Sequence, residues 1–362
     1  MKADRVRHSA VRRIAGAFAL AALVALPAGA WSGVKVAETE GFTLELGMRL
    51  QPRLEYTKLG SDGVRDFMIR RARLKANGKM LDATYGFEWK IDGTDQIGAS
   101  PSAQVENAWM SYPLGRGVEI KAGLYDQPFS RDRLTSDSRQ LAVDRGNVSN
   151  VPDAFGLADN ATGFQFQGKA SKGKVVWAAG VFDNRFIAGR LQDTPMVVGR
   201  LDLNFGATSD IYQDAHFGDG RWYSLGLNGS YQPIETPSGT DSMTISAVGI
   251  DGMLDIPTRL GRLFVRGEAS SITRDYENLL LSTIETRQWM AGAGLLILEE
   301  RLQPFIRFDE VRYENAPNTD TTYLGMNLYR RGHSLKFQAD VKFEANTDQS
   351  LDGGRLQAQI DF

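Results

Sequence analysis

Arg355-Leu-Gln-Ala-Gln-Ile-Asp-Phe362 is the stretch that decides the fold. Leu356, Ala358, Ile360 and Phe362 fall on one face, and Arg355, Gln357, Gln359 and Asp361 on the other. A period of two marks an extended strand, because successive Cβ atoms point to opposite sides of a sheet. The segment before it repeats the pattern: Leu335, Phe337, Ala339, Val341 and Phe343 alternate with Lys336, Gln338, Asp340, Lys342 and Glu344.

Working back from there, the same alternation predicts sixteen strands, near 42–57, 65–79, 83–93, 104–112, 118–125, 161–169, 174–183, 196–205, 221–232, 243–254, 262–273, 286–298, 302–313, 321–329, 334–344 and 354–362. No amphipathic helix of useful length interrupts them. At roughly 21 residues per strand and connection, the spacing suits membrane-crossing strands of ~10 residues joined by a short turn at one end and a longer loop at the other. Gly115-Arg-Gly117, Glu299-Glu-Arg301 and Arg330-Arg-Gly-His333 carry turn chemistry, and longer polar connections alternate with them. The alternation fails once, at 206–220, where a long link stands in place of a short turn. The longest connection, about 126–160, follows the fifth strand. Aromatic residues such as Tyr56, Tyr112, Tyr125, Tyr231 and Tyr329 gather toward strand ends, as in the girdles of membrane barrels.

The first thirty residues read differently. Lys2, Arg5, Arg7, Arg12 and Arg13 precede an apolar run from Ile14 to Leu26, and Ala28-Gly-Ala30 follows as a small-residue cleavage site. The run is short for a membrane span of ~20 residues, so residues 1–30 are expected to be a secretory signal peptide and residues 31–362 the barrel domain. Removing the signal takes five basic groups and Asp4 and leaves a net charge of about −6. That balance argues against a nucleic-acid partner. With no cysteine, disulfides, thiolate metal sites and a cysteine nucleophile are excluded. No later apolar run reaches the length of a transmembrane helix, which leaves a soluble periplasmic protein, a secreted protein or an outer-membrane barrel. Enzyme signals are poor: only His216 and His333 follow the signal, both in connections, with no metal-ligand spacing. No cofactor or metal is expected.

A pore works through charge near its narrowest point. Arg71, Arg73 and Lys75 share one face of the second strand, without an acid beside them on that face. Lys121 faces with Glu119, Arg200 with Asp202, Arg266 with Glu268, Arg307 with Asp309, and Lys90 with Glu88 and Asp92. These side chains are expected to line the pore, since charge on the lipid face costs ~2–4 kcal/mol at mid-depth. The long connection adds Arg131, Arg133, Arg139 and Arg145 as candidates for a constriction loop. Small inward residues (Ser224, Gly226, Asn228, Ser230, Gly292, Gly294) favour an open lumen over a plugged one.

Several motifs are familiar in this order. Phe67-Met-Ile-Arg-Arg-Ala-Arg-Leu74 with Gly78, then Ala122-Gly-Leu-Tyr-Asp-Gln-Pro-Phe129 with Leu134-Thr-Ser136, then Gln303-Pro-Phe-Ile-Arg-Phe-Asp309, resemble the phosphate-selective porin O/P family. Phe362 resembles the terminal aromatic that outer-membrane barrels present to the barrel assembly machinery. The resemblance implies an all-β, sixteen-stranded antiparallel transmembrane barrel in the bacterial outer membrane, homotrimeric, with an inward-folded third external loop. It also implies outer-membrane lipid around the barrel and small inorganic or organic anions as permeating solutes, phosphate among them. Arg71, Arg73, Lys121 and Arg307 are the positions where the family's basic lining carries over. The reading is a passive, anion-preferring channel; a plugged structural or adhesive barrel and a barrel enzyme are the alternatives.

Overall fold

The computed structural model describes residues 33–59, 62–92, 102–183, 186–187, 190–191, 194–235, 242–276, 283–345 and 353–362. The expected signal peptide and parts of several long connections lie outside the described residues.

The strands in chain order begin with β1 (Val34–Thr39), β2 (Phe42–Leu59), β3 (Asp62–Met80), β4 (Ala83–Asp92), β5 (Ser102–Gly115) and β6 (Val118–Asp126). Then come β7 (Asn160–Ala170), β8 (Val175–Asp183), β9 (Phe186–Ile187), β10 (Arg190–Leu191), β11 (Met196–Asn204), β12 (Trp222–Glu235) and β13 (Ser242–Thr258). The last are β14 (Gly261–Tyr276), β15 (Ile284–Leu296), β16 (Leu302–Tyr313), β17 (Thr319–Arg331), β18 (Leu335–Ala345) and β19 (Gly353–Asp361). Two short helices, α1 (Arg131–Leu134) and α2 (Asn147–Asp153), lie between β6 and β7.

Sixteen strands, β2–β8 and β11–β19, form one antiparallel sheet in chain order, and β19 pairs back onto β2. The sheet is therefore closed, so no backbone edge is left unpaired toward lipid. All sixteen strands read from the sequence are present, most of them longer than the alternation indicated. β1 was not expected. It folds back on Phe42–Leu46 of β2, along the edge that β19 occupies further up at Arg49–Thr57. The small β9–β10 hairpin was not expected either.

Tight turns join strands at one end. Leu81 at φ 55° and the pair Arg116 (φ 55°) and Gly117 (φ 77°) take left-handed conformations, which match the twist of two-residue hairpins. At the seam, Met48 and Phe362 exchange backbone hydrogen bonds of 2.8 and 3.0 Å. A Cβ on Gly47 would overlap the Phe362 carbonyl, so the seam needs glycine there.

Burial follows the pleat. On β11, Met196, Val198, Arg200, Asp202 and Asn204 are buried, while Val197 and Leu201 are exposed. Leu225, Leu227, Val248, Ile250, Ile306 and Leu324 continue the exposed apolar face on other strands. An apolar surface of this extent is tolerated where lipid covers it. The opposite, polar face carries the charged residues and lines the inside.

Candidate functional site

The polar face is organised around two connections. The first, residues 127–159, runs from β6 to β7. Its side chains bond to polar-face groups on many strands. Arg131 Nε donates to Asp251 of β13 at 2.6 Å and Nη2 to Asp202 of β11 at 3.1 Å. Arg53 of β2 donates to Asp144 at 2.7 Å, as does Arg355 of β19. The Val143 amide donates to Asp340 of β18 at 3.1 Å, and the Asn147 amide to Asp309 of β16 at 3.3 Å. Leu141 lies against Gly292 and Gly294 of β15. These glycines make room for a side chain rather than leaving open space; Arg200 and Asp251 likewise occupy the space beside Gly226.

The second connection, residues 205–221, is the anomaly of the sequence reading. The link is an insertion packed on the polar face. Tyr212 donates to Asp202 at 2.5 Å and accepts from Arg200 at 3.1 Å. Asp214 pairs with Arg266 of β14 at 2.7 Å and accepts from the Leu141 amide at 2.8 Å. Gln303 of β16 reaches the Asp214 carbonyl at 3.3 Å. His216 bonds Asp255 of β13 at 2.9 Å and stacks on Trp222, with ring centroids 4.1 Å apart. His333, between β17 and β18, donates to the Ala215 carbonyl at 2.9 Å. Burial holds the His333 imidazole well below its ordinary pKa, so the ring is neutral. Both histidines thus serve as anchors of this connection.

The cations named from the sequence are held as follows. Arg71 pairs with Asp137 at 3.0 Å. Arg73 pairs with Glu88 at 3.0 Å and Glu106 at 2.8 Å. Lys75 pairs with Asp361 at 2.6 Å. The absence of an acid beside these three on their own strand is thus made good by acids from other elements. Arg200 pairs with Asp202 and Asp251, each at 2.7 Å. Arg266 binds Asp132 as well as Asp214, and not Glu268, whose carboxylate accepts from the Asp132 amide. Arg307 pairs with Asp309 at 3.2 Å, donates to the Asp144 carbonyl at 2.7 Å and lies 4.1 Å from the centre of the Tyr323 ring. Arg133 bridges Asp126 and Asp159, Arg139 pairs with Asp210 at 3.2 Å, and Arg145 pairs with Asp137. Burial acts to raise the Asp137 and Asp144 carboxyls, but the surrounding arginines outweigh it and hold both well below the usual range.

Lys121 is placed differently. Its ammonium lies 4.4 Å from the centre of the Trp109 ring and 4.2 Å from that of Tyr125. Among the described residues, no carboxylate comes within ion-pair distance of it. It faces a cavity of about 530 Å³ between the β5–β8 wall and the start of the first connection, with Asn107, Glu119, Gln167, Asp126 and Tyr212 among the lining groups. Sequence reading named Lys121 but missed Trp109, Asn107, Tyr212, Asp214 and Asp251. Their partners are remote in the chain, and only the three-dimensional register brings them together. Among the described residues there is no group of three or more side chains fit to hold a metal ion.

Comparison with known proteins agrees with this architecture. Residues 42–228 match the family model described as phosphate-selective porin O and P. An uncharacterized protein of Aquifex aeolicus is 22% identical, over 84% of this chain and 83% of its own length. Two solved structures share the fold. The outer membrane channel DcaP of Acinetobacter baumannii has a TM-score of 0.64 at 11% identity, over 91% of this chain and all of its own. The anion-selective porin of Comamonas acidovorans has a TM-score of 0.62 at 13% identity, over 89% and 100%.

Proposed function

Because the chain belongs to the phosphate-selective porin O and P family, barrels of the bacterial outer membrane, we propose that it forms a water-filled, anion-preferring channel for passive diffusion of small hydrophilic solutes and is not an enzyme. The observation that carries this reading is Lys121. Its ammonium makes no ion pair among the described residues, although the Glu119 and Asp126 carboxylates line the same polar cavity of about 530 Å³, where a low-dielectric wall strengthens its field. Two aromatic faces hold the ammonium in place without neutralising it. The named selectivity of the Comamonas porin, a neighbour in fold, is consistent with the same preference here. Inorganic phosphate and small organic anions are the solutes proposed. Arg71, Arg73, Lys75, Arg200, Arg266 and Arg307 add a basic background, damped by their acidic partners.

In the same reading, residues 127–159 are the third external loop, folded into the pore as its constriction, with Arg131, Arg133, Arg139 and Arg145 on it. Its bonds to β2, β11, β13, β16, β18 and β19 support this, since one segment reaches strands all round a ring from within it. Residues 1–30 are the cleaved signal, and Phe362 is the mark read by the assembly machinery. A homotrimer is proposed, with the apolar groove beside Gly325, Ala339 and Gly354 as a site of close wall-to-wall approach; lipid covers the remaining outer face.

The test is the reversal potential of the purified protein in a planar bilayer under a salt gradient. Stepwise conductance with an anion-selective reversal supports the proposal. A zero or cation-selective reversal removes the anion preference and keeps the channel. A second reading, a plugged barrel, is favoured by the burial of Gln303, Asn327, Lys336, Gln338, Gln357 and Gln359 on the polar face. Absence of conductance from the inserted protein would favour a plugged barrel or a barrel enzyme over the channel.

A further inference from the structure

A connection at the short-turn end needs only a few residues to join neighbouring antiparallel strands. The link between β11 and β12 takes residues 205–221 instead. A polar chain inside a barrel costs free energy unless its groups are paired, so the partners it finds show where it belongs. Ile211, Asp214, Ala215 and His216 are all buried. Starting from β11, the link reaches β13 through His216 and Asp255, β14 through Asp214 and Arg266, β16 through Gln303, and the β17–β18 turn through His333. It crosses half of the ring. It then meets the connection from the other end of the strands: Arg131 Nη1 donates to the Ile211 carbonyl at 2.7 Å, the Leu141 amide to Asp214 at 2.8 Å, and the Asp214 amide to the Arg139 carbonyl at 2.9 Å.

The two connections together cover one side of the polar face and not the other. On β16–β19, Gln303 donates to the Asp214 carbonyl of the second connection, while Asn327, Gln338 and Gln359 donate to carbonyls of the first, and all four are at most 1% exposed. On β5–β8, Asn107, Lys121 and Gln167 remain partly open and border the cavity. Tyr212 stands at the boundary: it lines the cavity, and its hydroxyl is fixed by Asp202 and Arg200.

We infer that residues 205–221 form a strap that closes the lumen along β13–β17, joins residues 127–159 in sealing that side of the barrel, confines solute to an off-axis path along β5–β8, and sets the width of that path through Tyr212. This rests on the channel reading above and adds the route and its size limit. An aromatic side chain tied at its tip is a fixed wall rather than a mobile one, which is what a size limit requires. The cations on the sealed side then act as structural partners, and the solute meets Lys121 first among the lining groups.

The chain has no native cysteine, so single cysteines report accessibility without background. Asn107→Cys, Gln167→Cys, Gln303→Cys and Tyr329→Cys, the last two lying under Asp214 and Phe217 of the strap, are made in the full barrel, and each is exposed to a small charged thiosulfonate, with labelling followed by mass. Labelling at positions 107 and 167 should run at least about tenfold faster than at 303 and 329, the difference between an open and a closed site. Tyr212→Ala should then raise single-channel conductance, and Tyr212→Phe, which keeps the ring, should raise it less. Equal labelling of all four cysteines overturns the sealed side. Conductance unchanged by Tyr212→Ala overturns the size limit. Because labelling is read by mass, unequal labelling in a protein that carries no current would still support the strap while the channel reading fell.

Discussion

The Arg131 guanidinium and the Ile211 carbonyl oxygen lie 2.7 Å apart, and this bond ties the connection after β6 to the connection after β11. The same guanidinium spans Asp251, Asp202 and Ser224. Arg131 is 2% exposed, so its removal leaves the Ile211 carbonyl without its donor, Asp251 to Arg200, and Asp202 to Arg200 and Tyr212. Breaking a buried charge pair costs ~3 kcal/mol or more. Arg131→Leu should therefore lower the urea midpoint of the folded barrel by an amount equal to about 3 kcal/mol, and Arg131→Lys by less. An unchanged midpoint in Arg131→Leu would mean that this hub adds nothing to stability.

Leu141 fills the space that Gly292 and Gly294 leave open. Leu141→Ala should cost ~2–4 kcal/mol as a buried large-to-small change. Gly294→Leu should act in the same direction by steric means, since a Cβ there already meets Gln303 and Leu141 at 3.0–3.1 Å. Both variants should speed tryptic cleavage after Arg139, the most exposed arginine of that connection's ion pairs. Protection equal to the unaltered protein would show that the segment is held by its polar bonds alone.

Selectivity and stability should separate cleanly between two groups of cations. Lys121→Gln removes a charge that has no ion-pair partner among the described residues, so the reversal potential should move toward zero with little change in the urea midpoint. Arg71→Ala with Arg73→Ala should also move it, but must lower the midpoint, because Asp137 loses two of its partners. If the double variant shifted selectivity more than Lys121→Gln, at unchanged stability, the ordering of the two sites would be reversed.

Acidity should act on the first connection in two opposite directions. Burial, with Asp159 beside it, pushes the Asp153 carboxyl up to about 6 from 3.8. The folded segment then binds that proton more tightly than the unfolded chain does, so its contribution is full below 3.8 and is lost as pH rises through about 6. The urea midpoint should be higher at pH 5 than at pH 7 by virtue of this group, and Asp153→Asn should remove that part of the difference. Asp137 and Asp144 behave in the opposite sense. Their stabilisation is present above 3.8 and is lost only as pH falls through values well below it. Their arginine network should therefore persist at pH 4.

The strands were legible because one rule, polar and apolar residues in alternation, governs every crossing of a membrane by a sheet. The C-terminal octapeptide shows it in its plainest form. β1 escaped notice because Val34–Thr39 is short and lies next to the expected cleavage region. The partners of the cations were not legible. Arg71 finds Asp137, Lys75 finds Asp361 and Arg266 finds Asp214, each from a distant part of the chain. Position on a face can be read from the sequence, but the neighbour across the lumen is set by the ring. The length of the 206–220 link was visible as an anomaly. Its direction was not, although Asp210, Tyr212, Asp214 and His216 already offered the donors and acceptors that an enclosed chain requires. The small residues of β15 misled for a related reason: a gap in the wall and a socket for Leu141 look alike in sequence.

The seam between β2 and β19 has a consequence for the order in which the molecule is built. Every other seam joins strands that follow one another in the chain, with only the β9–β10 hairpin intervening between β8 and β11, whereas Arg53 and Gln357, bonded across this one, are 304 residues apart. Bringing such remote ends together costs ~2–3 kcal/mol more in loop-closure entropy than forming a local hairpin. Closure therefore belongs to the end of folding, after the local hairpins have formed. Until then the growing sheet has two bare margins, each able to pair with another chain. The tight approach of Gly47 to Phe362 acts at that last step as a latch, turning a ribbon with two sticky borders into a ring with none.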